Sequence, residues 1–422
     1  VQYREMANVP KWRTAKGLEG AVASAKKVES WKPDAADVKS VVDTFRSAGT
    51  GDGLYNAGLA LVHAGNIPEA LAAFKQAASK NAQDADAHAM VAEMMRRSGQ
   101  DGGEFMRAAL KLQKFNPIAN NTFSVGAQVK KDWPTAIAAS RQALIGNAED
   151  LNAYQNLART YFEQGQYNMA KLVAEQGIRY DQANAPLRNL LGLTLIKMDD
   201  VRNALRRFRG AVKGDSRCVE CQINLAATVL NYSDFAVAQQ HFQAALEVQP
   251  DNRLAVLGSA VASRGQDKFD DARKGYDSLL AKDPDAVDVL YNKCLLIAQY
   301  EEKFEAGLSV CETFLAKAPS THPRRKEMEQ RVKGLKDTIK FMKEEEQFKK
   351  DNPEPPPAPP DTAPEGEPEA TPEGEPKAEP AAEAEAAPEA DAEPEAAPKD
   401  AAEPEGDVED VEPEKDDKES AP

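Results

Sequence analysis

At 422 residues the chain is long enough for two or three ordinary domains, and its formal charge of −16 hides an uneven distribution. From residue 351 to the end there are 26 acidic and 4 basic residues, a net of −22, whereas residues 1–350 hold 43 acidic and 49 basic, a net of +6. In that mildly basic body Lys and Arg are interleaved with Asp and Glu rather than gathered in a block, which argues against a nucleic-acid partner, and no apolar run is long enough to span a membrane.

The first 50 residues are the least regular. The chain begins at Val1 rather than Met, so a removed upstream segment is expected, a cleaved export signal being one source. Trp12 and Trp31 frame an amphipathic helix predicted over 15–28, ended by Pro33. A second helix is predicted over 35–48, with Val38, Val41, Val42 and Phe45 on one face. Gly49, Gly51 and Gly53 then break the chain. The pair reads as an atypical helical cap on the array that follows.

From residue 51 the sequence repeats. When 185–218 is laid over 219–252, Leu191-Gly192 falls on Leu225-Ala226, Ala204 on Ala238, Phe208 on Phe242 and Ala211 on Ala245. Copies begin at 117, 151, 185, 219 and 253, a spacing of 34 held four times. An earlier copy covers 51–84, a shorter and distorted one 85–116, and a last one 288–321 follows after one extra residue. The second helix of the later copies carries a small residue at Ala136, Ala170, Ala204, Ala238, Ala272 and Gly307. Three places earlier stands Trp133, Tyr167, Val201, Phe235, Phe269 or Phe304. Small residues let two helices approach, and the ring fills the space between them. Eight repeats are predicted.

This pattern resembles the tetratricopeptide repeat. The resemblance implies an all-α fold, a right-handed superhelix of helix–turn–helix units with first helices lining a concave groove and second helices outside. Positions two, five, six, nine and twelve of the first helices border that groove in the family. Here they include Asn121, Asn152, Asn156, Arg159, Asn189, Asn224, Asn292 and Lys293. An Asn amide has both a donor and an acceptor, so such a row can grip the backbone of an extended peptide; equally, it can bridge adjacent first helices. The carboxylate clamp of chaperone-binding members is not reproduced, since Leu59, Leu193 and Ala227 stand where it wants Asn.

Residues 322–350 read as one helix with Met328, Val332, Leu335, Ile339 and Met342 in a single stripe, suited to capping the array or to a short coiled coil. Residues 351–422, built from Pro, Glu and Ala, cannot bury enough apolar surface to order and are predicted to be disordered. As flexible coil they would span about 50 Å, and in extended polyproline form on the order of 200 Å.

Motifs for enzymatic chemistry are missing. There is no phosphate-binding G-x-x-x-x-G-K-[ST], no G-x-G-x-x-G, no G-x-S-x-G and no H-E-x-x-H, and the four His are scattered, so no catalytic, cofactor or metal site is predicted. Cys218-Val-Glu-Cys221 spans the junction of two repeats, where a local disulfide or free thiols are the readings. Cys294 and Cys311 take places where, in the family pattern, the two helices of the last repeat face each other, giving a disulfide or two small buried side chains. Two pairs would suit an oxidising compartment.

The expected function is that of a non-enzymatic scaffold binding protein or peptide segments within a multiprotein assembly. In texture the whole chain resembles bacterial envelope proteins of this family, notably the repeat lipoprotein of the myxobacterial gliding-motility machinery. That resemblance implies a lipidated Cys upstream of Val1 and a place on the periplasmic face of the outer membrane. The alternatives are a cytoplasmic adaptor or regulatory subunit presenting a client to an enzyme, and a lipoprotein of a secretion, pilus or polysaccharide-export system.

Overall fold

The computed structural model describes residues 10–29 and 33–352. Trp31 and the predicted disorder beyond residue 352 lie outside the described residues. The order of elements is a short α1 (Glu19–Ala25), a 3-10 turn (Lys26–Glu29) and α2 (Ala35–Ser47), then eight helix pairs and a long final helix. The first four pairs are α3 (Gly51–His63) with α4 (Ile67–Lys80), α5 (Ala85–Arg97) with α6 (Gly103–Leu112), α7 (Pro117–Val129) with α8 (Trp133–Gly146), and α9 (Leu151–Glu163) with α10 (Tyr167–Tyr180). The next four are α11 (Ala185–Lys197) with α12 (Val201–Gly214), α13 (Val219–Leu230) with α14 (Phe235–Val248), α15 (Arg253–Gly265) with α16 (Phe269–Lys282), and α17 (Val287–Leu295) with α18 (Phe304–Lys317). Helix α19 (Arg325–Asp351) closes the order.

Local chemistry sets the boundaries. Asp84, Asn116, Asp150, Asn184 and Asn252 each cap the first helix that follows them, accepting a backbone N–H that would otherwise have no partner. Between the helices of every pair one residue adopts the left-handed conformation. It is Gly65, Gly99 and Gly165 in three repeats, and Lys131, Asp199, Ser233, Asp267 and Glu302 in the others. These sit at one register position except Glu302, which is one residue late. The sequence placed the extra residue ahead of the last repeat; the structure puts it at the end of the first helix. There Leu296–Tyr300 widens into a π-turn, the usual way a helix absorbs an insertion.

The core of each repeat forms where a small residue of the first helix faces a ring of the second. Phe74 and Phe208 are fully buried, and a Cβ on Gly58 or Gly192 would come within 2.7 Å and 2.5 Å of those rings. Burying such a ring contributes roughly 1.5–3 kcal/mol. From α5 to α15 successive first helices also touch one another directly, whereas second helices pack on the first helices of their own and the next repeat. That asymmetry puts the first helices on the inner face.

Both ends are covered. Val28, Val38, Val41, Val42 and Phe45 join the core of the first repeat, so α1, the 3-10 turn and α2 act as a cap. Met328, Val332 and Leu335 of α19 pack on α17 and α18, while Met342 stands exposed. Among the described residues no helix is long and apolar enough to cross a membrane.

Candidate peptide-binding groove

The inner face carries the predicted amides, arranged as two pairs rather than one continuous row. Between α7 and α9, Asn156 donates through Nδ2 to Asn121 Oδ1 at 3.2 Å, and Asn121 donates to Asp150 Oδ2 at 3.0 Å. Burial pushes the Asp150 carboxyl up, against the lowering effect of the Ala153 and Asn152 N–H groups and the Asn121 amide. Gln128 reaches from α7 to the Asn156 carbonyl at 2.8 Å and to Thr160 at 2.9 Å. Between α11 and α13, Asn224 donates to Asn189 Oδ1 at 2.9 Å. In the isolated chain these amides therefore bridge adjacent first helices.

The remaining predicted residues divide. Asn152 lies on the first turn of α9, and Arg159 is exposed on the same helix. Asn292 turns its Nδ2 to the Asp288 carbonyl at 2.8 Å and offers Oδ1 to Arg264 at 3.3 Å. Lys293 leaves the row and pairs with Asp277 of α16 at 2.6 Å.

The most developed binding geometry lies at the first repeat, where no site was predicted. Residues 10–15 have no regular structure, and Arg13 is held by α3 and the start of α5. Asn56, fully buried, accepts the Arg13 backbone N–H at 2.9 Å and donates Nδ2 to the Arg13 carbonyl at 2.9 Å. One side-chain amide thus satisfies both backbone groups of an extended residue, as a neighbouring strand would.

The Arg13 side chain is clamped as well. Its guanidinium makes a two-pronged contact with Asp84, whose second bond is 2.8 Å long, and reaches Asp52 at 3.0 Å. Asp86 stands at 3.7 Å, and the guanidinium carbon lies 3.6 Å from the Tyr55 ring centroid. Burial alone would raise the Asp84 carboxyl, but the Arg13 hydrogen bond and the Ala87 N–H outweigh it and hold it below the usual carboxylate range. Burial pushes the Tyr55 hydroxyl far up. Beside it Trp12 stacks on Phe45 and His63 and donates to Glu29 at 2.6 Å.

A register signal for this site was present in the sequence. Asn56 holds position six of its repeat, like Asn156 and Asn224, and Asp52-Gly-Leu-Tyr-Asn56 recurs as Asp288-Val-Leu-Tyr-Asn292 in the last repeat, where α17 begins at Val287 and Asn292 is also sixth. There Arg324, from the chain just before α19, lies 4.4 Å from the Tyr291 centroid, and the Tyr291 hydroxyl donates to Glu327 at 2.7 Å.

The cysteines are buried in pairs: Cys218 with Cys221 (Cα–Cα 5.0 Å) and Cys294 with Cys311 (5.1 Å), both within the span of a disulfide. Among the described residues no cluster of His, Cys, Asp and Glu could hold a metal ion.

Two family models described as tetratricopeptide repeat match the sequence, one over residues 55–117 and 225–287, the other over 151–184. The chain matches none of the curated proteins in sequence. Among solved structures it is similar to the APC/C hetero-tetramer Cut9–Hcn1, with a TM-score of 0.56 and 13% identity, over 75% of this chain and 63% of that one. It therefore spans under two thirds of that relative's length. Yeast Tom70 aligns with a TM-score of 0.43 at 13% identity, covering 77% of this chain and 80% of that chain. PilF of Pseudomonas aeruginosa aligns at 0.45 and 16%, covering 50% and 97% respectively. At such identities the likeness is one of fold. The chain carries tetratricopeptide repeats, stacked into an all-α solenoid.

Proposed function

We propose that this protein is a non-enzymatic scaffold whose inner face holds extended segments of partner proteins within a multiprotein assembly. The observation that carries the reading is the grip of Asn56 on the backbone of Arg13. It is an example, inside the molecule, of a groove amide receiving an extended chain. Asn156 and Asn224 hold the same register position and are only half-buried. Exchanging their interhelical hydrogen bonds for bonds to a partner's backbone costs little net energy, because one hydrogen bond replaces another.

The test is a photo-crosslinking residue placed in the full chain at the exposed position 159 or 227 on the same first helices, with partners identified by mass spectrometry. Crosslinks should form at both positions and weaken when Asn156, Asn189 and Asn224 are replaced together by Ala with helicity intact. Crosslinks confined to outer-wall positions would overturn the reading.

We further propose that the assembly belongs to a bacterial cell envelope, of the gliding-motility kind, with the chain tethered by an upstream lipid anchor on the periplasmic face of the outer membrane. Two cysteine pairs at bonding distance support an oxidising compartment. Four alkylated thiols in protein trapped directly from cells would count against it and favour a cytoplasmic adaptor.

A further inference from the structure

The outer wall carries one feature that the groove reading does not use. Helix α12 exposes Arg202, Arg206, Arg209 and Lys213, spaced 4, 3 and 4 residues apart. At 3.6 residues per turn they fall within about 60° of one another, on a ridge about 16 Å long. The opposite side of the helix is the buried one, with Ala204, Phe208 and Ala211 in the core. None of the four is in an ion pair with a described residue; Arg202 adds only a minor lowering influence on Asp200, whose carboxyl Asn203 chiefly holds down. Helix α6, aligned on its buried Ala109, has Arg107 and Lys111 at two of these register positions but Glu104 at a third, and no other second helix has more than one cation there. On α14 they are Ala236, Gln240, Gln243 and Glu247.

The neighbouring ridge adds an apolar element. Helices α10 and α12 both pack on α11, and α10 presents Leu172, 61% exposed, at the register position of Arg206. A large aliphatic side chain bared to water beside a row of cations is the pattern of an interface anchor with a charged rim.

We propose that the α10–α12 face of the outer wall is a docking surface for an acidic amphipathic segment of a partner protein. Three of the four ridge cations are Arg, whose planar fork matches carboxylates two-pronged and desolvates more readily than Lys. The ridge is one helix wide and flanked on α14 by three uncharged places and the acidic Glu247, too narrow a field for a duplex or a lipid bilayer. Leu172 requires an apolar partner side chain. In the acidic residues 351–422 of this chain the only apolar side chains larger than Ala and Pro are Val408 and Val411, set between Gly406 and Pro413 with too few residues for an amphipathic helix, so the matching segment is assigned to another protein.

The test uses the full chain and a fluorescent peptide of about 18 residues with Leu at helical spacing among Glu, followed by anisotropy at low salt. The wild-type chain should bind it. Arg206→Glu with Arg209→Glu should weaken binding at least about tenfold, since reversal removes two attractions and adds two repulsions. Leu172→Ser should also weaken it. Asn156→Ala with Asn224→Ala should leave it unchanged, which separates this surface from the groove. Equal binding by the Arg variant, equal binding of a polyglutamate lacking Leu, or capture by anionic phospholipid vesicles instead of the peptide would each overturn the proposal. Circular dichroism checks that these exposed substitutions leave the helices intact.

Discussion

Replacing Asn56 by Ala tests whether a groove amide can hold an extended chain. Asn56 is fully buried and makes two hydrogen bonds of 2.9 Å to Arg13, one to its N–H and one to its carbonyl. Each contributes about 1 kcal/mol net, and more if the backbone group is left dry, so the arm should loosen by roughly 2–3 kcal/mol. At about 1.4 kcal/mol per tenfold, that is about 30-fold or more in local opening. Global melting is the wrong measure, because repeat arrays do not unfold all-or-none. Hydrogen exchange by mass spectrometry on peptides covering residues 10–17 is the right one. Exchange there should speed up about 30-fold while repeats beyond the third stay unchanged. A change below about threefold would show that the charged contacts of Arg13 hold the arm without Asn56, and the groove reading would lose its internal example.

Four further outcomes follow from the geometry. The Asp84 carboxyl is depressed in the folded chain, so its contribution is complete above the unfolded value of about 4 and is lost as pH falls through the lower folded value. Exchange protection of the arm, corrected for intrinsic rates, should therefore be flat from neutrality to about pH 4 and fall below it. Ser233→Gly should stabilise the sixth repeat by up to about 1 kcal/mol in urea titrations, because Ser233 occupies the left-handed region at φ 61°. Gly192→Ala should cost about 1–3 kcal/mol by driving a methyl to 2.5 Å from Phe208, whereas Gly126→Ala, with nothing within 4 Å, should not destabilise. Linking Cys294 to Cys311 closes a loop across α17 and α18, so Cys311→Ala should cost the last repeat about 3 kcal/mol and speed exchange there under oxidising conditions.

Much of the fold was legible because stacked repeats write their packing into the sequence at a fixed period. The Gly58–Phe74 and Gly192–Phe208 contacts follow from small-against-ring spacing alone. The π-turn at Leu296–Tyr300 was not legible, since an extra residue counted along the chain does not say which helix takes it in. The Arg13 site was hidden for a different reason: its parts come from residues 13, 52–56 and 84–86, brought together only when the N-terminal segment lies across α3 and α5. The Arg ridge of α12 was missed because charge counted in blocks dilutes Arg202, Arg206, Arg209 and Lys213 among intervening residues. Folding that stretch at 3.6 residues per turn gathers them on one face.

A stack of like units has no inherent length, because each unit presents the next with the face it has just covered. In this molecule the first and last units share the Asp-x-Leu-Tyr-Asn sequence, and in both an arginine from outside the array lies over the tyrosine. Arg13 arrives with the segment that leads into α1, and Arg324 with the segment that leads into α19. Among the described residues each end of the stack is thus met by an apolar cap, α2 on the first repeat and α19 on the last, with an arginine laid over a tyrosine beside each cap.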